Sequence, residues 1–201
     1  PGRGVTVLFG HSGSGKTTLM NILLRFFDEN SGQILVDGKP LKEENLEYWR
    51  GLIGYVKQDI FMIDSNIKEN VAFGEETINN DLLNTAIKQA SLNEFVGNLP
   101  KGVESEVGER GSRLSGGQKQ RIGIARSLYR NAQILVFDEA TSALDTQTER
   151  EVSEAIDSLS DTNKTIFIIA HRVTTLKNCD RIYELKNGEI AVLPDSYQAG
   201  A

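Results

Sequence analysis

The stretch Gly10-His11-Ser12-Gly13-Ser14-Gly15-Lys16-Thr17 constrains this chain more than any other. It fits G-x-x-x-x-G-K-[ST], the spacing of a loop whose backbone N–H groups cradle phosphates. Upstream, Val5-Thr6-Val7-Leu8-Phe9 is β-branched and aromatic and reads as a buried strand. Downstream, Thr18 to Phe26 reads as a helix with apolar positions on more than one side. Strand, glycine loop and helix in that order are what phosphate binding needs. Gly10, Gly13 and Gly15 let the backbone turn tightly and aim its N–H groups at an anion. A helix starting near Lys16 adds the positive end of its dipole. Lys16 is then placed to reach the β- and γ-phosphates of a nucleotide, and the Thr17 hydroxyl to hold Mg²⁺. A Gly/Ser-rich loop with a chance lysine is the plainer alternative, and the flanking strand and helix speak against it.

Such a loop needs a sheet to sit on. The 201 residues are enough for one domain with a sizeable core, or a core with a small appendage. Hydrophobic residues make up 39% and charged residues 25%, and the net charge is −6, so no nucleic-acid partner is expected. Cys179 is the single cysteine, which excludes an internal disulfide; it reads as a small buried hydrophobe rather than a nucleophile. No apolar run approaches the ~20 residues of a membrane span. The most apolar runs, Ile134-Leu135-Val136-Phe137 and Ile166-Phe167-Ile168-Ile169-Ala170, are strand-sized. There is no charged-then-apolar leader and no starting methionine, and a strand begins almost at once, which suggests an incomplete chain.

After the first helix, Asn30-Ser31-Gly32 is a turn, Gln33 to Val36 a strand, and Asp37-Gly38 a tight turn. Asn45 to Arg50 reads as a short helix and Leu52 to Val56 as a second core strand, with Gln58 just past its end. Residues beyond strand C-termini line the ligand crevice of parallel α/β sheets. A glutamine there could contact Mg²⁺ or a water, although position alone favours a solvated loop residue. From about Ile60 to Leu99 strand signals vanish. Asp81 to Ala90 has helical spacing, as does Leu92 to Val96, so this region reads as a mainly helical insertion. Glu104 to Gly111 is charged and glycine-punctuated, most simply a surface loop.

Leu114-Ser115-Gly116-Gly117-Gln118 leads into a long helical run from Lys119 to Leu128. A serine and two glycines before a helix make an anion-receptive N-terminus, but one without its own lysine. It looks like half a phosphate site, and capping alone would also account for it. Ile134-Leu135-Val136-Phe137-Asp138-Glu139 is a buried strand ending in two carboxylates. Asp138 falls at the C-terminal edge of the sheet, beside the glycine loop if the strands are neighbours, and suits Mg²⁺ held through water. Glu139 points elsewhere, because side chains alternate along a strand, and is a candidate general base for in-line attack on a γ-phosphate. Asp145 can cap a helix from Thr146 to Leu159. Lys164 to Ala170 is another core strand, and His171 follows its end, on the edge shared with Asp138, which suits a γ-phosphate contact. Arg181 to Leu185 and Glu189 to Val192 form a hairpin around Asn187-Gly188, and the residues from Asp195 on are expected to fray.

Taken together, from about Val5 to Val192, these motifs resemble the nucleotide-binding domain of the ATP-binding cassette (ABC) superfamily. Gly10 to Thr17 matches its Walker A motif, Gln58 its Q-loop glutamine, and Leu114 to Gln118 its signature. Ile134 to Asp138 with Glu139 matches Walker B plus the catalytic glutamate, Ser142-Ala143-Leu144-Asp145 the D-loop, and His171 the switch histidine. Gln58 to Phe61, Ser65 to Gly74 and Glu106 to Gly111 are similar to the exporter class, in which the last segment touches the coupling helices of the membrane domain. Asn178 to Leu185 is similar to bacterial flippases for lipid-linked oligosaccharides.

The resemblance implies an α/β P-loop fold, with a RecA-like core from residues 1–59 and 131–201 and a helical subdomain over about 60–130. It implies ATP and Mg²⁺ as cofactors. Gly10, His11, Ser12, Gly13, Ser14, Gly15, Lys16, Thr17 and Thr18 would wrap the phosphates, with no specific role for the His11 side chain. Ser115, Gly116, Gly117 and Gln118 would close on ATP held by a second nucleotide-binding domain in a head-to-tail dimer. Thr17, Gln58 and Asp138 would serve the metal, and Glu139, His171, Lys16 and Gln58 the hydrolysis. The partners implied are that second domain and transmembrane domains at the cytoplasmic face of the inner membrane. The family's adenine-stacking aromatic, and the first strands of its domain, would fall before Pro1; Tyr48, Trp49 and Tyr55 do not match that role. A soluble ATPase of DNA repair or translation, and an ATP sensor without turnover, are the alternative expectations.

Overall fold

The computed structural model describes residues 4–138, 146–160, 162–170 and 179–193. Its strands are β1 (Gly4–Phe9), β2 (Leu35–Val36), β3 (Lys39–Pro40), β4 (Ile53–Val56), β5 (Ile134–Asp138), β6 (Thr165–Ala170), β7 (Arg181–Lys186) and β8 (Glu189–Leu193). Strands β2 and β3 pair only with each other, and the remaining six form one sheet in the order β4-β5-β6-β1-β7-β8. Every neighbouring pair in it is parallel except β7–β8. That pair is the expected hairpin; Asn187 and Gly188 both take positive φ, 52° and 79°, as a two-residue hairpin turn demands.

Helices cover both faces, which is why Ile134–Phe137 and Ile166–Ala170 are continuous apolar runs rather than alternating ones. On one face, α1 (Lys16–Leu23) buries Met20 and the adjoining Leu24 against Val136 and Ile169. The short α2 (Leu46–Gly51) holds the end of that helix: Trp49 Nε1 donates to Leu23 O at 3.1 Å, and Arg50 donates to Arg25 O at 2.9 Å. Arg25, at φ 60°, turns the chain out of the helix, so α1 stops before Phe26, short of the expected end. On the other face are α3 (Ile67–Val71), α4 (Asn80–Gln89), α5 (Asn93–Gly97), α6 (Gly116–Tyr129) and α7 (Thr146–Ser160). They share one core with Val5, Val7, Val56, Leu135, Phe137, Ile166 and Ile168.

Two expectations need correcting. The segment 104–111 is no simple surface loop. Ile67 N donates to Ser105 O and Val107 N to Ser65 O, which leaves Val107 fully buried. Its apolar side chain and the two backbone bonds outweigh the polar, glycine-rich letters around it. Cys179 is half-buried at the margin of the core rather than enclosed in it.

Helix α6 is the element that ties the second face together. Ser127 lies over Gly54 so closely that a Cβ on Gly54 would come within 2.5 Å of the Ser127 Cβ. Seven residues earlier, the buried Gln120 is already past the end of β4, where its amide donates to Lys57 O (3.0 Å) and Gln58 O. The helix therefore runs against β4, and its N-terminus leads out beyond the C-terminal edge of the sheet. Arg126 donates to Asn70 O and Phe61 O, and Arg130 to Phe73 O. One helix thus grips the carbonyls of residues 57–73.

Gly54→Val should overfill the β4–α6 contact and cost about 1–3 kcal/mol, read as a lowered thermal midpoint. Gln120→Leu keeps the volume but strands two carbonyls, and should cost about 1–3 kcal/mol in denaturant unfolding.

Candidate functional site

The glycine loop starts where β1 stops. Its glycines serve different needs. Gly13 and Gly15 have φ of 78° and 101°, which side chains oppose, whereas Gly10 is required by close approach: a Cβ there would lie 2.4 Å from Leu185 O on β7. Ser14 N donates to His11 O at 3.1 Å, closing the turn. Gly15 then caps α1 without a side-chain bond, so the first amides of the helix keep their donors for another partner.

Lys16 is 4% exposed, and its Nζ donates to Gly10 O (2.8 Å) and His11 O (3.1 Å). An ammonium has three donors, so one remains. Ser14 Oγ is buried with no hydrogen-bond partner. A buried hydroxyl left unpaired beside a buried ammonium is a cradle whose acceptors come from outside the chain. His11, Ser12, Thr17 and Thr18 are exposed around it, and His11 contributes its carbonyl rather than its imidazole.

Asp138 does not sit on a neighbour of β1, the condition under which the sequence placed it beside the loop. Strand β6 lies between them. Asp138 still reaches the same edge, because it pairs with Ile169, which pairs with Leu8. Two strand spacings, about 10 Å, separate β5 from β1. Asp138 shares its side of the sheet with Val136, which is the α1 side. Tyr55 OH donates to Asp138 Oδ2 at 2.5 Å. Burial first, and then the Asp138 bond and charge, push the phenol well above its usual range.

Along this edge of the sheet come a carboxylate (Asp138), the Thr17 hydroxyl and the Gln58 amide, oxygen donors of the kind Mg²⁺ takes. Among the described residues no three His, Cys, Asp or Glu form a cluster. A cation here would therefore rely on phosphate and water for most of its shell, as Mg²⁺ does. Gln58 has an exposed side chain, with its backbone carbonyl held by Gln120. Glu139, the segment Ser142 to Asp145 and His171 lie outside the described residues.

Ser115 is the N-cap of α6. Its hydroxyl accepts from Gln118 N (3.2 Å), and Gln118 Oε1 accepts from Ser115 N (2.9 Å), a complete capping box. The plain capping reading of this serine is thus present in full. Ser115 and Gly116 are exposed, at the end of α6 that projects past the sheet edge. They stand on the side of the sheet opposite α1, and three strand spacings, about 14 Å, separate β4 from β1. The glycine loop and Leu114–Gln118 therefore do not form one site within this chain.

Tyr55 and Gln120 were not singled out for any role by the sequence. Gln120 carried a signal, a polar residue one turn before Ile124 on a helix face that is apolar or small further along. Tyr55 carried only parity: alternate residues of β4 share the side of the sheet on which Asp138 stands.

The sequence pattern of the ABC transporter family matches residues 2–142. An ATP-dependent lipid A-core flippase of Saccharophagus degradans is 45% identical over 190 residues, covering 94% of this chain and 32% of that protein. A Staphylococcus aureus protein named for multidrug export, an ATP-binding/permease protein, is 46% identical over 189 residues, again 94% of this chain and 32% of the relative. A bacterial Atm1-family ABC exporter with ATP bound superposes with a TM-score of 0.82 at 38% identity, covering 94% of this chain and 33% of that one. This chain spans about a third of the length of the relatives it matches. The six-stranded sheet, the glycine loop and the match over 2–142 agree: the chain belongs to the ABC transporter family.

Proposed function

We propose that this chain is the ATP-hydrolysing motor of an ABC exporter, working as one of two copies that close head to tail around ATP. The observation that carries this reading is the separation of two phosphate-type sites by the sheet. One holds a buried lysine and an unpaired serine hydroxyl; the other is an exposed helix N-terminus on the opposite side of the sheet. Each is half of a site, and a second copy turned about supplies the other half.

In this reading Lys16 and the backbone N–H groups from Gly13 to Thr18 hold the β- and γ-phosphates. Thr17, Asp138 and Gln58 would hold the metal, which would supply positive charge beside the phosphate oxygens. Glu139 takes a proton from the attacking water, and His171 contacts the γ-phosphate. Ser115, Gly116, Gly117 and Gln118 of the second copy complete the phosphate shell, so loss of the γ-phosphate loosens the pair.

The exporter assignment is supported by one composite surface. Residues 65–68 are stitched to 104–107 by two backbone bonds, by the Asn66–Glu106 bridge and by the Lys68–Glu104 ion pair. Phe61 lies exposed against Phe73 nearby. This surface would receive transmembrane domains at the cytoplasmic side of the membrane. The relatives named for lipid A-core flipping and for multidrug export support export as the work this motor drives.

Glu139→Gln in the complete protein should lower ATP turnover about 10²–10⁴-fold while preserving ATP-dependent pairing, followed by phosphate release and light scattering. Undiminished turnover would remove Glu139 from its role. Lys16→Ala should abolish both turnover and pairing.

A further inference from the structure

Tyr55 has no part in the hydrolysis outlined above, yet it makes the one side-chain hydrogen bond recorded to Asp138 among the described residues. Its place in the sheet explains how. Tyr55 pairs with Val136 across β4 and β5, so its ring stands on the α1 side. Asp138 lies two residues further along the same side. The length of the phenol spans that step and brings the hydroxyl to Oδ2 at 2.5 Å.

The ring has little freedom. It packs with the core formed by Met20, Leu24 and Val136. The Phe26 ring lies 6.3 Å from it at a 50° tilt, and Lys57 Nζ stands 5.5 Å from its centroid. Phe26 lies three residues past the end of α1, so the phenol is held from the α1 side of the sheet and from β4 at once. Asp138 is different. It is half-buried at the last position of its strand, and among the described residues only Tyr55 bonds its carboxylate.

We propose that Tyr55 is a positioning residue: its hydroxyl fixes Oδ2 of Asp138 and so turns Oδ1 toward the cation that accompanies ATP. This rests on the reading of Asp138 as a metal aspartate. Outer partners of this kind orient a ligand and tune its metal affinity without touching the metal. A phenylalanine at position 55 would pack equally well and leave the carboxylate to rotate.

The test measures equilibrium ATP binding by the complete protein with Mg²⁺ and with EDTA. It compares the unsubstituted protein with Tyr55→Phe, Asp138→Asn and the double variant. Thermal midpoints are followed alongside to confirm folding. Tyr55→Phe should cut the gain in ATP affinity conferred by Mg²⁺ roughly tenfold and leave Mg²⁺-free affinity unchanged. In the Asp138→Asn background the same substitution should change nothing further. The proposal is overturned if Tyr55→Phe keeps the full Mg²⁺ gain, if it lowers both affinities alike, or if its effect persists without the Asp138 carboxylate. An unsubstituted protein that binds ATP with no Mg²⁺ gain overturns the metal reading itself, and that measurement stands apart from the Tyr55 comparison.

Discussion

Parallel pairing in register is the constraint on which the rest of this molecule depends. Asp138 is level with Ile169, and Ile169 with Leu8, so three strands from distant parts of the chain finish together. Their C-terminal ends are the only places where a buried strand can hand its chain to solvent and still point a side chain at a ligand. The glycine loop, the carboxylate and the start of the Gln58 segment all emerge along that one edge. Apolar burial on both faces holds the register, because a slip of one residue would turn Val136 and Ile169 away from α1 and Phe137 toward it.

The two faces carry different duties. On the α1 face, packing serves the phosphate end: Met20 and Leu24 anchor the helix, and Trp49 and Arg50 satisfy carbonyls where it stops. On the α6 face, packing fixes backbone. Gln120, Arg126 and Arg130 bind backbone carbonyls, so the path of residues 57–73 is held in large part at its backbone. Bonding at the backbone leaves Phe61 exposed on this stretch, open for contact with another protein.

Much of this could be read from the chain alone. The glycine loop, Asp138 and the Asn187-Gly188 hairpin are local patterns, set by turn chemistry and strand periodicity within a few residues. What could not be read is non-local. Strand order is one case: nothing in Ile134–Asp138 or Thr165–Ala170 states that β6 separates β5 from β1. Segment 104–111 is another, since its conformation comes from bonds to residues some forty positions earlier. The end of α1 is a third, where helix-favouring letters up to Phe26 yield to a left-handed Arg25 and to caps supplied by α2. Tyr55 and Gln120 belong with these, because the importance of each lies in what stands opposite it.

The contact between Ser127 and Gly54 also has a mechanical meaning. A helix pressed this closely against strand backbone resists sliding more than tilting. Twelve residues of helix separate Ser127 from Ser115, an arm of about 18 Å. A tilt of roughly 5° about that fulcrum displaces the tip by about 1.6 Å, roughly half the length of a hydrogen bond. Arg126, beside the pivot, would hardly stretch its bonds, whereas Gln120, about 10 Å along the arm, would move by about 0.9 Å together with the Lys57 and Gln58 carbonyls it holds. A small push on residues 57–73 is thereby geared up at the far end of the same helix, and the capping box around Ser115 keeps that end stiff enough to deliver it.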